Sequence, residues 1–280
     1  MTIRFHRTFR YALALPALLC APLVFAQPQP APKPYEPTPF QAGKDVIWLA
    51  TPQEVVNKML DLGQVTAKDF VIDLGSGDGR TVITAARRGA RGMGIEYNPD
   101  LVEYSNRTAK AAGVSDKVKF IKADLFETDF NEATLVTMYL LSSLNLKLRP
   151  KILDLKPGTR VVSHAFDMAD WKPDRTETIE GKTAYLWLVP AKVAGVWQLT
   201  QGELTLTQSY QFVEGALKTA DGTQAIRNGQ LRGDQLSFSA GGADYTGRVS
   251  GNRVEGTVKG SASGPWSASR ASDPASNAQK

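Results

Sequence analysis

Between residues 45 and 190 the chain alternates two kinds of apolar pattern. Short blocks such as Phe70-Val71-Ile72-Asp73, Gly92-Met93-Gly94-Ile95-Glu96 and Val118-Lys119-Phe120-Ile121 have the length and composition of buried strands. Between them, residues 81–88 and 99–112 carry their apolar positions at helical spacing, and Gly113 supplies a stop. Further strands are expected at 133–141, 160–164 and 185–189. Strands separated by helical spacers predict βαβ units and a parallel sheet. From about Gly195 the texture changes. Glycine becomes frequent, and apolar/polar alternation replaces helical spacing. Leu204, Leu206, Tyr210 and Phe212 all fall on even positions, which predicts one face of a strand. An internal repeat at an offset of 18 sets Gly229-Gln-Leu231-Arg-Gly233-Asp234-Gln-Leu236 against Gly247-Arg-Val249-Ser-Gly251-Asn252-Arg-Val254. Each copy holds a Gly-Asp or Gly-Asn pair between apolar positions, where a two-residue hairpin turn demands φ > 0. Residues 195–270 are therefore expected to form an antiparallel all-β domain of short hairpins, with a closed barrel as one form. Trp197 and Trp266, near its two ends, are expected to pack together and close it.

The N-terminal segment changes how the composition is read. Arg4, Arg7 and Arg10 precede an apolar run over residues 11–26, which contains Pro16 and Pro22 and ends Val24-Phe25-Ala26. A basic region, a short apolar region and small residues at the −3 and −1 positions predict a secretory signal peptide over 1–26. The run is shorter than the roughly 20 residues that span a bilayer, so a membrane anchor is the lesser alternative. A mitochondrial presequence is another, since no acid precedes Glu36. Cleavage after Ala26 would leave 254 of the 280 residues and lower the formal charge from +5 to +2, because the leader holds three arginines and no acid. It would also remove Cys20, the only cysteine, so no disulfide or multi-cysteine zinc site is expected. No Lys/Arg cluster interleaved with aromatics remains to predict nucleic-acid binding. Hydrophobic residues make up 42% and charged residues 22%, an ordinary globular balance that excludes wholesale disorder. The expected organisation is a leader at 1–26, a Pro-rich linker at 27–44, an α/β domain at 45–191, the β domain at 195–270 and a disordered tail at 271–280. The expected location is the periplasm.

The segment richest in chemistry is Asp73-Leu74-Gly75-Ser76-Gly77-Asp78-Gly79-Arg80, between an expected strand and an expected helix. Glycines there let backbone N–H groups approach a ligand at a strand–helix crossing. A dinucleotide fingerprint needs Gly or Ala at position 80, where Arg80 stands, and a phosphate loop needs Gly-Lys-Ser/Thr, which is absent. Asp73 suits a cationic group rather than a pyrophosphate. Glu96 ends the next strand, the usual place for a carboxylate that binds ribose hydroxyls. Asp124 follows the third strand and can accept a hydrogen bond from an adenine amino group. A positive centre, a ribose, an adenine and no phosphate together describe S-adenosylmethionine.

On these residues the chain resembles the class I, seven-strand S-adenosylmethionine-dependent methyltransferases. It is most similar to the protein-lysine methyltransferases that act on the ATP synthase c-ring protein and the adenine nucleotide translocase. The likeness rests on Thr51-Pro52, Val55-Val56, Met59-Leu60, the acid–glycine series of 73–80, and Ala85-Ala86-Arg87, Gly92 and Gly94-Ile95-Glu96. It covers residues 48–190, half the chain. It implies a Rossmann-like α/β sheet, methyl transfer as the activity, S-adenosyl-L-methionine as cofactor, and contacts to that cofactor from Asp73, Gly75, Gly77, Glu96 and Asp124. Gly79 and Leu125 join this candidate set. The stretch from 167 to 175 is too short for a full helix, and the β domain has no counterpart in those lysine enzymes.

The acceptor side is expected at the carboxyl ends of the fourth and fifth strands, where Tyr139 and His164 are the candidate catalytic residues. Tyr139 would line the methyl group or orient the acceptor, and His164 would take a proton near neutral pH. Asn145 is a weaker candidate. An Asn-Pro-Pro-Tyr signature is absent, and no acid cluster suits a catalytic metal. The expected partner is a protein lysine, with the β domain available for envelope or protein docking. The alternative is an exported, non-catalytic binding protein that reuses the fold.

Overall fold

A computed structural model describes residues 1–2, 33–45, 47–200 and 202–271. The leader expected over 1–26 and the tail expected over 271–280 lie almost wholly outside the described residues.

The central strand β1 (Phe70–Leu74) is buried along Val71, Ile72, Asp73 and Leu74. It pairs in parallel with β2 (Arg91–Glu96) on one side and β4 (Leu135–Met138) on the other. β3 (Val118–Lys122) lies outside β2, and β5 (Arg160–His164) lies outside β4. β7 (Lys182–Leu188) runs antiparallel to β5, and β6 (Arg175–Ile179) completes the edge against β7. The order β3-β2-β1-β4-β5-β7-β6 reverses direction between β1 and β4, which opens a crevice at the carboxyl ends of those strands. Register puts Asp73 beside Gly94 and Thr137 there.

Helices at Arg80–Arg87 and Pro99–Ala111 fall where helical spacing predicts them, and a further one precedes β1. α1 (Gln53–Leu62) buries Val55, Val56, Met59, Leu60 and Leu62 against Val71, Leu135 and Val162 of the sheet. α2 (Arg80–Arg87) leaves the glycine loop directly. α3 (Pro99–Ala111) begins with Pro99 at its first position, and the Asn98 side chain accepts a hydrogen bond from the Asp100 N–H. α4 (Ser142–Leu153) is not evident from the sequence. Its Leu144-Asn145-Leu146-Lys147-Leu148 alternation imitates a strand, yet the buried positions are Asn145, Leu148 and Ile152, a helical stripe. The fourth strand accordingly stops at Met138, short of the expected 141. Residues 165–174 between β5 and β6 contain no helix, in line with their length.

The chain then enters β8 (Gly195–Leu199), β9 (Gly202–Ser209), β10 (Phe212–Thr219), β11 (Gly222–Ala225), β12 (Arg227–Arg232), β13 (Gln235–Ala240), β14 (Ala243–Ser250), β15 (Arg253–Gly260) and β16 (Gly264–Arg270). Each strand pairs antiparallel with its neighbours. β16 returns to β8, β8 pairs with β9, and β9 with β10, so the sheet closes on itself. β11 and β12 share one edge of β10, so eight staves form the barrel wall. Its interior is apolar, built around Trp197, Leu206, Val213, Leu231, Phe238 and Val254. Outward positions such as Thr207, Gln230, Ser237, Arg248 and Glu255 are polar, the reverse of a membrane-spanning barrel.

The repeat falls where two-residue turns form. Gly233-Asp234 joins β12 to β13 and Gly251-Asn252 joins β14 to β15, with Gly233 at φ 63° and Gly251 at φ 57°. The expected shared face of Leu204, Leu206, Tyr210 and Phe212 does not hold. Ser209 pairs with Phe212, so Tyr210-Gln211 is itself a hairpin turn, and the inward face resumes at Val213 and Leu217. Phe212 is exposed. Trp197 and Trp266 belong to one core, each with its own partners. The Trp197 indole N–H donates to the Val193 carbonyl, and Trp266 packs edge-on against Phe238 and Tyr245.

Trp197 is fully buried. Trp197→Ala is expected to destabilise the barrel by about 3–5 kcal/mol, read as a lowered midpoint in chemical denaturation followed by circular dichroism.

Candidate functional site

The crevice beside β1 holds a cavity of about 510 Å³. The glycine loop forms one wall. The Gly75 and Ser76 N–H groups donate to the Ile95 carbonyl at 2.9 and 3.0 Å, which turns the loop back over β2. The Gly77 N–H donates to Glu96 Oε2 at 2.9 Å, and the Asn98 N–H donates to Glu96 Oε1 at 2.9 Å. One carboxylate thus fixes both the glycine loop and the entry to α3. Its free lone pairs remain to accept from vicinal hydroxyls. Gly77 lies at φ 53°, and a Cβ there would come within 2.4 Å of Trp48 Nε1, so backbone conformation and packing both demand glycine.

Asp73 lies at the base of the loop, 6% exposed, and its Oδ1 accepts from Thr137 Oγ1 at 2.6 Å. Burial pushes its carboxyl up to about 7, and the nearby Asp78 and Glu96 add to the rise. A ligand cation placed beside it would favour the ionised form. Asp124 closes the other end of the cavity. Its Oδ1 accepts from the Phe126 N–H at 2.9 Å, and its Oδ2 is ion-paired with Lys44. That hydrogen-bonded ion pair holds the Asp124 carboxyl below the usual range.

The expected residues do not all reach the cavity. Asp73, Gly75, Gly77, Glu96, Asp124, Leu125 and Tyr139 line it. Gly79 and His164 do not. Gly79, at φ 78°, backs against Phe120 and Ser105, so its part is to let the loop pack on β3 and α3. His164 is 2% exposed and sits behind the Tyr139 ring at 4.0 Å between centroids. Its Nδ1 lies 3.3 Å from Thr51 Oγ1. Burial pulls its imidazole down to about 4, so it is neutral at pH 7. It supports Tyr139 and is not placed to touch an acceptor. Asn145 is fully buried in α4 and donates to the Phe166 and Asp167 carbonyls at 3.1 and 3.2 Å, a structural part.

The sequence reading missed the segment that crosses the crevice before α1. Lys44, Ile47, Trp48, Leu49 and Thr51 all line the cavity. The Lys44 ammonium lies over the Tyr97 ring, 4.8 Å from its centroid. Arg80, which argued against a dinucleotide, has a positive task. Its Nε donates to Asp78 Oδ2 at 2.9 Å and its Nη1 to the Thr51 carbonyl at 3.0 Å, tying this segment to the loop. Thr51-Pro52 was visible as part of the likeness, but nothing in sequence spacing marks Lys44.

Cavity chemistry fits S-adenosylmethionine. The buried Asp73 carboxylate would suit its cationic end and the Glu96 carboxylate its ribose hydroxyls, and Ile95, Leu101 and Leu125 add apolar lining that would suit its base. Residues 73–175 match the family described as the ANTKMT methyltransferase domain. A protein-lysine N-methyltransferase of Saccharolobus islandicus is 39% identical over 151 residues, which cover 51% of this chain and 94% of that protein. The chain belongs to this methyltransferase family. The mouse lysine N-methyltransferase of the ATP synthase c-ring protein is 39% identical over 118 residues, 41% of this chain, and the match spans about half of that enzyme, 48%. A Salinibacter ruber protein named an RNA methyltransferase, crystallised with S-adenosyl-L-homocysteine, is 56% identical over 52% of this chain and 96% of its own, with a TM-score of 0.51. The protein is therefore an S-adenosylmethionine-dependent methyltransferase, and the non-catalytic alternative is not favoured. The barrel lies beyond the matched region.

Asp73 is expected to make cofactor affinity depend on pH. Its raised value means that the ligand-free fold gains stability below about pH 4, where Asp73 is protonated, and loses it as pH rises through about 7. A cation at the site reverses that loss. S-adenosylmethionine affinity measured by calorimetry is expected to rise between pH 6 and 8. Asp73→Asn is expected to flatten that profile, weaken binding by roughly 10- to 100-fold, and raise the melting temperature of the free protein at pH 8.

Proposed function

We propose that this methyltransferase modifies a lysine side chain of a protein. The observation that carries the reading is the apolar character of the cavity lining at and beyond the carboxyl end of β4, together with Phe166. This lining consists of Met138, Tyr139, Leu140, Leu141, Leu144 and Phe166. S-adenosylmethionine supplies a sulfonium-bound methyl group to an in-line nucleophile. A lysine amine attacks only after losing its proton, and an apolar wall favours the neutral amine by withdrawing hydration from the ammonium. Neutral His164 behind Tyr139 adds no competing positive charge. The Tyr139 ring packs against two others, His164 at 4.0 Å and Phe166 at 6.0 Å between centroids, which restricts its position. The Saccharolobus and mouse relatives bear lysine methyltransferase names, which supports the same acceptor here.

An RNA acceptor is the second reading, favoured by the name of the Salinibacter protein. RNA binding draws on cations that contact phosphates. The basic residues of the cavity lining, Lys44 and Arg80, are each paired with a carboxylate, Asp124 and Asp78. This counts for the lysine reading.

Labelled S-adenosylmethionine supplied with the protein to a lysate from cells lacking its gene separates the two. Label is expected to survive ribonuclease, to be lost with protease, and to appear as methyllysine after acid hydrolysis. Ribonuclease-sensitive label would replace the lysine reading with the RNA one. Tyr139→Ala is expected to slow transfer at least tenfold, with cofactor affinity changed less than twofold, while Tyr139→Phe retains most activity.

The basic and apolar pattern of residues 1–26 supports an exported protein. N-terminal sequencing of the protein from a cell-envelope fraction is expected to begin at Gln27, and a chain beginning at Met1 in the cytosol would reject export.

A further inference from the structure

The barrel meets the methyltransferase sheet through the tips of its hairpins. The β12–β13 turn reaches the sheet at Gly158, and the Gly233 carbonyl accepts from the Ala191 N–H at 2.8 Å. The β9–β10 tip, Tyr210-Gln211, reaches residues 165–174, the loop whose first part supplies Phe166 to the cavity wall.

That loop has few bonds within itself, among them Trp171 N–H to the Met168 carbonyl and Ala169 N–H to Asp167 Oδ1, and takes much of its support from its neighbours. It has no helix, and Ala165 and Ala169 stand at φ 64° and 56°, a region that costs a residue with a Cβ of order 1 kcal/mol or more. Such residues persist only where their surroundings over-determine them. α4 clamps the loop at two points one turn apart. Asn145 holds the Phe166 and Asp167 carbonyls. Arg149 donates to the Met168 carbonyl at 3.0 Å and pairs with Asp170.

The barrel tip completes the clamp from the other side. Tyr210 stacks on Trp171, with centroids 5.9 Å apart and planes 13° from parallel. Its hydroxyl donates to Asp170 Oδ2 at 2.8 Å, and the Arg149 guanidinium lies 5.4 Å from its ring centroid. Gln211, itself buried, donates from Nε2 to the Lys172 carbonyl at 2.8 Å. Tyr210 stands at φ 54°, so the tip that braces the loop carries the same backbone strain.

We propose that Tyr210-Gln211 of the barrel is a positioning element for methyl transfer, fixing loop 165–174 so that Phe166 stays against Tyr139 in the acceptor wall. The barrel thereby belongs to the working site, although it contributes no residue to the cavity. This rests on the reading of Tyr139 and Phe166 as the acceptor wall.

The test uses the full chain with Tyr210→Ala, Tyr210→Phe and Gln211→Ala, read by hydrogen–deuterium exchange, calorimetry with S-adenosylmethionine, and the labelled-lysate transfer assay. Tyr210→Ala is expected to speed exchange over residues 163–168, next to the cavity, by at least tenfold. It is expected to slow transfer about tenfold and to change cofactor affinity less than twofold, because the glycine loop and Glu96 are untouched. Tyr210→Phe, which keeps the stacking, is expected to fall between Tyr210→Ala and the unaltered protein. Gln211→Ala is expected to act at residues 170–174 with a smaller effect on transfer. A role confined to docking would speed exchange only in 170–174 and the barrel turns and leave residues 163–168 and transfer unchanged, which overturns the proposal. Loss of cofactor affinity in parallel with transfer also overturns it, as would be seen if the variant loosened the whole fold. If the unaltered protein transfers no label to any protein, the lysine reading fails, and exchange over 163–168 still decides the positioning role.

Discussion

The cofactor side of the molecule depends on one carboxylate. Glu96 ends β2 and accepts two backbone N–H groups, one from Gly77 in the glycine loop and one from Asn98 at the start of α3. Both donors would otherwise lie unpaired at the edge of a crevice, where an unmet buried N–H costs about 1–3 kcal/mol. Pairing them with a charged acceptor sets the loop's left-handed turn, the direction of α3 and the spacing across the cavity at once. The conformation of Gly77, the Ser105 hydroxyl bond to the Gly77 carbonyl and the proline start of α3 are consistent with that geometry.

Much of this was readable because it repeats locally. Strands of four to six apolar residues, a glycine run between strand and helix, and acids at successive strand ends are short-range patterns. The parallel α/β sheet and the acid and glycine positions of the cavity follow from them. The Gly-Asp and Gly-Asn turns of the barrel were equally legible, since only a few residues tolerate those angles. What the sequence hid was long-range. α4 was not marked because Leu144, Leu146 and Leu148 alternate rather than follow helical spacing, and only tertiary packing selects Asn145 and Leu148 as the inward pair. The even-position face at 204–212 failed for a related reason, since one tight turn at Tyr210-Gln211 resets which positions point inward. Lys44 and Trp48 were invisible as site residues because they reach the cavity from 80 and 29 positions away from Asp124 and Gly77.

The titratable groups divide by depth. Asp73 is buried without a cation of its own, and its carboxyl is held up near neutrality. Asp124 is nearer the surface, has found Lys44, and is held down. The cavity thus presents one end with an unmet demand for positive charge and another whose demand is met from within the chain. That difference would favour placing the cationic part of a ligand beside Asp73 rather than Asp124.

The barrel's two ends face different constraints. In an antiparallel barrel consecutive turns alternate between ends, so the turns at Tyr210-Gln211, Gly233-Asp234 and Gly251-Asn252 share one end, and those at 220–221, 241–242 and 261–263 share the other. Two turns of the first group, Tyr210-Gln211 and Gly233-Asp234, contact the methyltransferase part of the chain. Surface turns are ordinarily where proteins accept insertions and deletions most freely. Here that freedom belongs to one rim only. Among relatives that keep this barrel, changes of loop length should gather at the rim far from the sheet, while the near rim keeps its two-residue turns.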